Sequence, residues 1–414
     1  MRLSRGLLGT GIVSAVLLTL SVTLSACGSV AEQTSSNAQT SIEIPENQFL
    51  EVYRSPNGQR VWETWIDGDY IIWVEALAPG NTAALGYSQA AQYGTCLRYL
   101  RLGSVVNEVA GSVVKPPSED NPQLPVSKTA LLPGPPGEEP QVVWTTGLGL
   151  KRWSPSGKTE TVLPDTLKLD NPIASGDVIA LPVVRETADS ATTTGGGSPE
   201  PRLLMMTSNL KQPVSVNPAA PQLPASVLSG LSPYFAFPSG EYDFGDLDQP
   251  AVYDLRNGKR LDLSIPVWPA TVGGHYAVWS TVTGATATID VGQNTLTNQY
   301  ATFLADLDTL TTRQIASGLE VNFEWPSVAV NDEWLVTLER GVANGVVSAS
   351  EDVVAYHLPD MSEVRIASAL GPDETGGLQL SGNRLLLTVW KGLSDVPHDD
   401  PDWTALRVTD LSRG

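Results

Sequence analysis

Cysteine is almost absent from this sequence. The 414 residues include only Cys27 and Cys96, so a scaffold held by several disulfides is excluded. Cys27 lies next to an amino-terminal segment that we expect to be removed. If Cys27 is modified there, Cys96 has no partner for an intramolecular disulfide, and we expect it to be a small buried apolar residue.

Basic residues are also scarce. The chain has 25 Lys and Arg residues against 45 Asp and Glu residues, a formal net charge of −20. Loss of the first segment would remove Arg2 and Arg5 and leave 23 basic residues, for a charge of −22. Nucleic acid and bare anionic lipid would be repelled by this charge, so we expect no nucleic-acid partner.

Recognisable catalytic motifs are missing as well. The three histidines, His275, His357 and His398, lie far apart, and no GxSxG, HExxH or phosphate-binding glycine loop precedes a helix. No catalytic residue is therefore assigned, and the sequence favours binding over catalysis. Two enzymatic alternatives stay open, a Ser-His-Asp triad assembled in space and a carboxylate pair for glycoside cleavage.

The amino terminus has the layout of a secretory signal. Arg2 and Arg5 precede an uncharged apolar run from Gly6 to Leu20, and small residues follow. The next residues, Leu-Ser-Ala-Cys at 24–27, resemble the lipobox of bacterial lipoproteins. An ordinary secretory signal that ends near a cysteine by chance is the alternative.

The lipobox resemblance implies that diacylglycerol is attached to the sulfur of Cys27 and that the chain is cleaved before it. The protein would then be lipid-anchored at the outer face of the cytoplasmic membrane. The abundance of Ala, Gly, Pro, Thr and Val, with little Lys, suggests a Gram-positive type of envelope. We expect a signal peptide at 1–26, a flexible polar tether at 27–40 and a folded domain at 41–414.

The folded part has almost no helical pattern. Short apolar runs recur between Gly, Pro, Asp and Asn clusters, which is typical of many short strands. Seven of these runs are alike, starting at Asp69, Gln141, Asp177, Tyr234, His275, Glu333 and Arg384. Each is followed by a second run, often with a hairpin such as YDLRNGKRLDL.

This repeat predicts an all-β fold, a β-propeller of about seven four-stranded blades. The last unit, TALRVTDLSRG, supplies a third strand but no fourth. The early segment NQFLEVYRS has no preceding unit, so we expect it to complete the last blade and close the ring. A pair of β-sandwiches is the competing fold.

Two segments resemble the SPDGK repeat of TolB-type propellers. SPNGQRVW begins at Ser55, with Asn57 in place of the usual Asp, and SPSGKTETVL begins at Ser154. The resemblance implies a propeller that serves as a binding or scaffolding surface. No TolB activity is transferred to named residues.

Strand alternation places the connections between second and third strands at one end of the ring. There they are long, as in TGATATIDVGQNTLTNQ and GVANGVVSASE, so we expect this end to carry recognition loops. Neutral insertions are the alternative. Trp73, Trp144, Trp279 and Trp390 recur in the second strand, and with Trp334 they are expected to pack between blades.

Other residues near the loops are candidate ligand contacts. Trp325 and Trp403 could stack on a sugar ring. Asp243, in the acidic segment EYDFGDLD, is a further candidate ligand contact. Carboxylates are dense in SDVPHDDPDW, which predicts a possible Ca²⁺ site at Asp395, Asp399, Asp400 and Asp402. The segment lacks the glycine and spacing of an EF-hand, and a solvated acidic loop is the alternative.

These features predict a membrane-anchored lipoprotein whose propeller is a protein-interaction or sensory scaffold module in the envelope. The alternative is a propeller that binds carbohydrate or acts on it as a glycosidase or lyase would.

Overall fold

The computed structural model describes residues 44–55, 61–76, 95–109, 129–133, 138–145, 149–163, 169, 172–183, 202–237, 251–263, 271–290, 293–320, 328–343, 346–371, 374–391 and 403–411. These residues contain 27 strands and no helix. Within them there is accordingly no helix long and apolar enough to cross a membrane.

The strands form seven blades, which confirms the predicted propeller. Blade 1 consists of β2 (Val61–Asp67), β3 (Tyr70–Ala76), β4 (Thr95–Arg101) and β5 (Asn107–Glu108). Blade 2 consists of β6 (Thr129–Leu132), β7 (Gln141–Thr145), β8 (Leu150–Trp153) and β9 (Glu160–Leu163). Blade 3 consists of β10 (Ile173–Ser175), β11 (Val178–Val183), β12 (Arg202–Met206) and β13 (Val214–Val216). Strands are antiparallel to their neighbours within each blade.

Blade 4 shows three strands in the part of the chain that is described, β14 (Tyr234–Phe237), β15 (Ala251–Asp254) and β16 (Lys259–Leu261). Blades 5 and 6 consist of β17 (Thr271–Gly273), β18 (Tyr276–Asp290), β19 (Gln293–Asp306) and β20 (Thr311–Glu320), and of β21 (Val328–Val330), β22 (Trp334–Ala343), β23 (Val346–His357) and β24 (Ser362–Leu370). Blade 7 comprises β25 (Glu374–Ser381), β26 (Arg384–Lys391) and β27 (Trp403–Asp410), with β1 (Leu50–Arg54) as its fourth strand.

The ring is closed by the first strand, as predicted. β1 pairs antiparallel with β27, from Leu50 opposite Val408 to Arg54 opposite Ala405. The first and last strands of the domain therefore share one blade, and the ring cannot open without breaking this pairing.

The core lies between the blades, because alternate residues of a strand pack on opposite neighbours. In β3, Ile71 and Trp73 pack with blade 7, whereas Ile72 and Val74 pack with blade 2 around Trp144. Strands buried on both faces have nearly continuous apolar sequences, and this explains the similarity of the seven runs.

The predicted role of the recurring tryptophans is confirmed. Trp73, Trp144, Trp279 and Trp334 are buried in clusters between blades. Trp390 is half-buried and donates from Nε1 to the carbonyl of Val61 in blade 1 at 2.6 Å.

Two segments that we expected to be loops are strands instead. In blade 5 the pairing of β18 with β19 continues through a bulge near Val282 to Asp290 opposite Gln293. In blade 6, β22 and β23 pair to Ala343 opposite Val346. The alternating Thr and Val residues of these segments favour extended backbone, which outweighs the Gly and Asn residues that suggested loops.

Candidate functional site

The two ends of the ring differ in construction. We call the end with the turns between first and second strands, and between third and fourth strands, the latched face. We call the opposite end, where second strands connect to third strands, the hairpin face. Most hairpin-face connections lie outside the described residues. Those of blades 5 and 6 are described, apart from residues 291–292 and 344–345, as the paired strands above.

On the latched face, hydrogen bonds join every blade to the next. In chain order, these bonds are Tyr70 to Glu139 (3.2 Å), Arg152 to the carbonyl of Leu210 (3.0 Å), the amide of Ser232 to Asp177 (2.6 Å), Ser232 to the carbonyl of Gly274 (2.5 Å), the amide of His275 to Asp332 (2.7 Å), Asn331 to the carbonyl of Gly382 (2.8 Å), and Arg384 to the carbonyl of Gly68 (2.7 Å). All seven junctions are bridged, so this face is a continuous polar belt.

Glycine is required at one of these junctions. Gly274 has φ of +58°, and a Cβ there would lie 1.9 Å from Oδ1 of Asp332. Only a residue without a side chain allows Asp332 to reach the amide of His275.

His275 is held between two carboxylates on this belt. Its Nδ1 lies 3.0 Å from Asp332 and its Nε2 lies 4.0 Å from Asp308. The hydroxyl of Ser232 donates to the carbonyl of Gly274 and not to this ring. A triad needs a nucleophile on the second imidazole nitrogen. Within the described residues, the ring of His275 contacts Asp332 of blade 6 and Asp308 of its own blade, and no hydroxyl or thiol is hydrogen-bonded to it.

Two side chains of blade 4 connect to Asp308 of blade 5. Tyr234 donates its hydroxyl to Asp308 and accepts a hydrogen bond of 2.8 Å from Arg256. Burial, together with the hydrogen bond to Asp308, raises the pKa of Tyr234. Burial also raises the pKa of Asp177, and the charge of Asp332 adds to the effect.

Sequence reasoning missed a buried ionic cluster where the ring closes. Glu75 on β3 is 1% exposed and receives a hydrogen bond of 2.7 Å from Tyr53 on β1. Arg98 on β4 lies 2.5 Å from the same carboxylate, and the Nε1 of Trp73 lies 3.4 Å away. The sequence offered one signal of this cluster, an acidic residue inside the apolar run YIIWVEA. An alternating pattern of apolar and polar residues would instead place that acidic residue in solvent.

Cys96 is fully buried, as expected, opposite Glu75 in the pairing of β3 with β4. It is thus a core residue next to the ionic cluster.

Of the predicted ligand contacts, only Trp403 is described. It begins β27 and packs against the hydrophobic cluster between blades 6 and 7. The guanidinium of Arg54 lies 4.0 Å from the centre of its ring, and that of Arg407 lies 5.8 Å away. A sugar could stack on the covered side only by displacing Arg54.

The other predicted site residues lie outside the described residues: Cys27, Asp243, Trp325, Asp395, Asp399, Asp400 and Asp402. The described part of the chain contains no group of three or more His, Cys, Asp or Glu residues arranged to hold a metal. The predicted Ca²⁺ site therefore stays a prediction.

The hairpin face carries an extended structure on blades 5 and 6. The two long hairpins meet through a parallel bridge between Ile289 and Val346, so both blades share one eight-stranded sheet. We call the described residues of 284–299 and 341–350 the hairpin platform. Its sequence contains one charged residue, Asp290, although 17% of the whole chain is charged.

One edge of the platform has no described partner. β20 pairs with β19 only as far as Asn298 opposite Glu320. Within the described residues, Gln293–Thr297 of β19 pairs with β18 on one side and with no strand on the other. An extended peptide can bind such an edge by adding a strand.

Comparisons with known proteins find only distant structural similarity. No protein-family model and no curated protein sequence matches the chain. Similar solved structures include an oligogalacturonate lyase from Vibrio parahaemolyticus, with 10% identity over 89% of this chain and 99% of that chain and a TM-score of 0.37. An uncharacterized protein from Listeria monocytogenes EGD-e has 9% identity over 85% and 94% of the two chains and a TM-score of 0.40.

A prolyl endopeptidase structure is also similar, with 7% identity over 82% of this chain and 55% of that chain and a TM-score of 0.31. At these identities and TM-scores the similarities carry no argument about ligand or activity.

Proposed function

We propose that this protein is a lipid-anchored, extracytoplasmic binding module that recognises a protein partner through the hairpin platform. The observation that carries the proposal is the platform itself, a charge-poor, paired extension at one end of a ring whose other end is bridged at every junction.

The composition of the platform supports a protein partner. The centres of protein interfaces are depleted in charged residues relative to the remaining surface. The platform has one charged residue, whereas 17% of the residues in the whole chain are charged, so its sequence is depleted in charge relative to the chain. Its open edge at Gln293–Thr297 adds backbone groups that can pair with a partner strand.

The described chain enters the ring at the latched face. The amide of Asn47 donates to the carbonyl of Asp410 at 2.9 Å, where β27 ends on that face. The lipid anchor in this proposal rests on the Leu-Ser-Ala-Cys segment at 24–27, which resembles a lipobox.

Glycan binding at Trp403 receives less support, because Arg54 covers the ring. We therefore prefer a protein partner at the hairpin platform to a glycan at Trp403.

Removal of the platform tests the proposal. In the variant, a two-residue turn replaces residues 284–299, and capture of envelope proteins after cross-linking is compared with wild type. We expect a specific captured protein to be lost. Lys259→Met, an exposed change on the latched face, is the control and should retain it. Equal capture by the truncated protein, with its thermal unfolding unchanged, would contradict the proposal.

A further inference from the structure

A cleft of about 350 Å³ lies on the latched face where blades 2 and 3 meet. The turn between β8 and β9 forms one wall, with Lys158, and the turn between β12 and β13 forms the other, with Lys211. The cleft is on the face opposite the hairpin platform, so it is independent of the proposed protein-binding surface.

Positive charge is concentrated in this cleft. Arg152 is already engaged, because its guanidinium lies 2.9 Å from Glu160 and donates to the carbonyl of Leu210 at 3.0 Å. Lys158 and Lys211 are exposed and form no ion pair within the described residues. Two uncompensated lysines thus face one cleft in a chain with only 25 basic residues.

Two exposed carboxylates elsewhere on the latched face have basic partners, since Asp308 lies 3.7 Å from Arg256 and Asp332 lies 3.0 Å from His275. Lys158 and Lys211 have no such ionic partner within the described residues. Their positive charge therefore favours a negatively charged ligand in the cleft.

Two residues that line the same cleft carry buried polar atoms without partners. Oε1 of Gln141 and Oγ of Ser208 are inaccessible to solvent and have no hydrogen-bond partner among the described residues. A buried polar atom without a partner costs about 1–3 kcal/mol. Inorganic phosphate near neutral pH offers mostly acceptors and only one or two hydroxyl donors, whereas a sugar carries several hydroxyl groups that can donate to the Gln141 oxygen while its charged group faces the lysines.

We propose that this cleft binds an acidic sugar. Its carboxylate or phosphate lies between Lys158 and Lys211, and its hydroxyl groups pair with Gln141 and Ser208 after small side-chain rotations. The volume lies at the lower end of the range for ligand sites, which suits one or two sugar rings.

Calorimetric titration of the folded domain tests the site. The probes are glucuronate, glucose 6-phosphate, glucose and inorganic phosphate. We expect at least one of the two acidic sugars to bind, more weakly at high salt, and glucose and inorganic phosphate to bind at least about tenfold more weakly. Preference between glucuronate and glucose 6-phosphate identifies the charged group.

Lys158→Met with Lys211→Met should weaken binding of the acidic sugar by at least about tenfold. Lys259→Met is the matched control, since Lys259 is also exposed on the latched face but belongs to blade 4. Failure of both acidic sugars to bind, equal binding of glucose or inorganic phosphate, or unchanged affinity in the double variant would overturn the proposal.

Discussion

Tyr53 on the closing strand donates a hydrogen bond of 2.7 Å from its hydroxyl to Glu75 on blade 1. β1 is thus bound on two sides, by the backbone of β27 and by a buried carboxylate in the next blade. The closure of the ring depends on a polar contact as well as on strand pairing.

Tyr53→Phe removes this hydrogen bond and leaves the buried carboxylate with one donor fewer. We expect the free energy of unfolding to fall by about 1–3 kcal/mol, measured by denaturant titration. Tyr276→Phe is the control, because the Tyr276 hydroxyl makes no hydrogen bond within the described residues. Equal effects of the two changes would show that the Tyr53 hydroxyl does not stabilise closure.

The raised pKa of Glu75 should make the stability of the closed ring depend on pH. Burial raises this pKa above its ordinary value of 4.5, although Arg98 and the hydrogen bond from Tyr53 oppose the shift. The folded state therefore holds the proton to higher pH than the unfolded state, and the contribution of Glu75 to stability falls as pH rises above about 4.5.

The Glu75→Gln variant has no titratable group at this position, so its comparison with wild type isolates the effect of Glu75 ionisation on stability. We expect the stability of wild type relative to Glu75→Gln to decrease as the pH rises above about 4.5. Denaturant unfolding at a series of pH values measures the difference. A difference that is constant or increases with pH would contradict the raised pKa.

Substitutions at two glycines can separate the cost of backbone strain from the cost of losing the hydrogen bond between the His275 amide and Asp332. Gly68 and Gly274 have similar φ angles, +53° and +58°, in equivalent turns of blades 1 and 5. A Cβ on Gly68 would meet nothing within 4 Å, whereas one on Gly274 would collide with Asp332.

We expect Gly68→Ala to cost about 1–2 kcal/mol, from the left-handed backbone alone. Gly274→Ala should cost clearly more, because Asp332 must also leave the amide of His275. Thermal or denaturant unfolding of the two variants gives the comparison. Equal losses of stability would mean that the hydrogen bond between the His275 amide and Asp332 contributes little to the free energy of unfolding.

Cys27→Ala tests the proposed lipid anchor. Without the thiol no thioether can form, so the protein should appear in the soluble fraction or retain its signal segment. Fractionation and mass determination of the amino terminus measure both outcomes. Normal cleavage before residue 27 with unchanged membrane association would contradict lipidation.

The features predictable from sequence were those that repeat. Trp73 and Trp144 occupy equivalent positions in their blades, and the closing strand was predictable because the last unit lacked its fourth strand. Glu75 was not predictable as a buried residue, since its partners Tyr53 and Arg98 lie on other strands and meet it only in the closed ring.

The hairpin platform was missed for a related reason. Gly and Asn residues near Gly284 and Asn294 suggested loops, although β18 and β19 pair with each other within one blade. The bridge between Ile289 and Val346 joins two blades, and no pattern within one repeat unit indicates it. The cationic cleft likewise joins turns of different blades, with Lys158 from one and Lys211 from the other.

The most direct test of the account is site-specific cross-linking in the intact envelope. A photoreactive residue is placed at Thr288 on the hairpin platform or, in a matched variant, at Lys259 on the latched face. The account predicts a discrete protein adduct from position 288 and none of that size from position 259. An adduct from position 259 alone, or the same adduct from both positions, would contradict recognition through the hairpin platform.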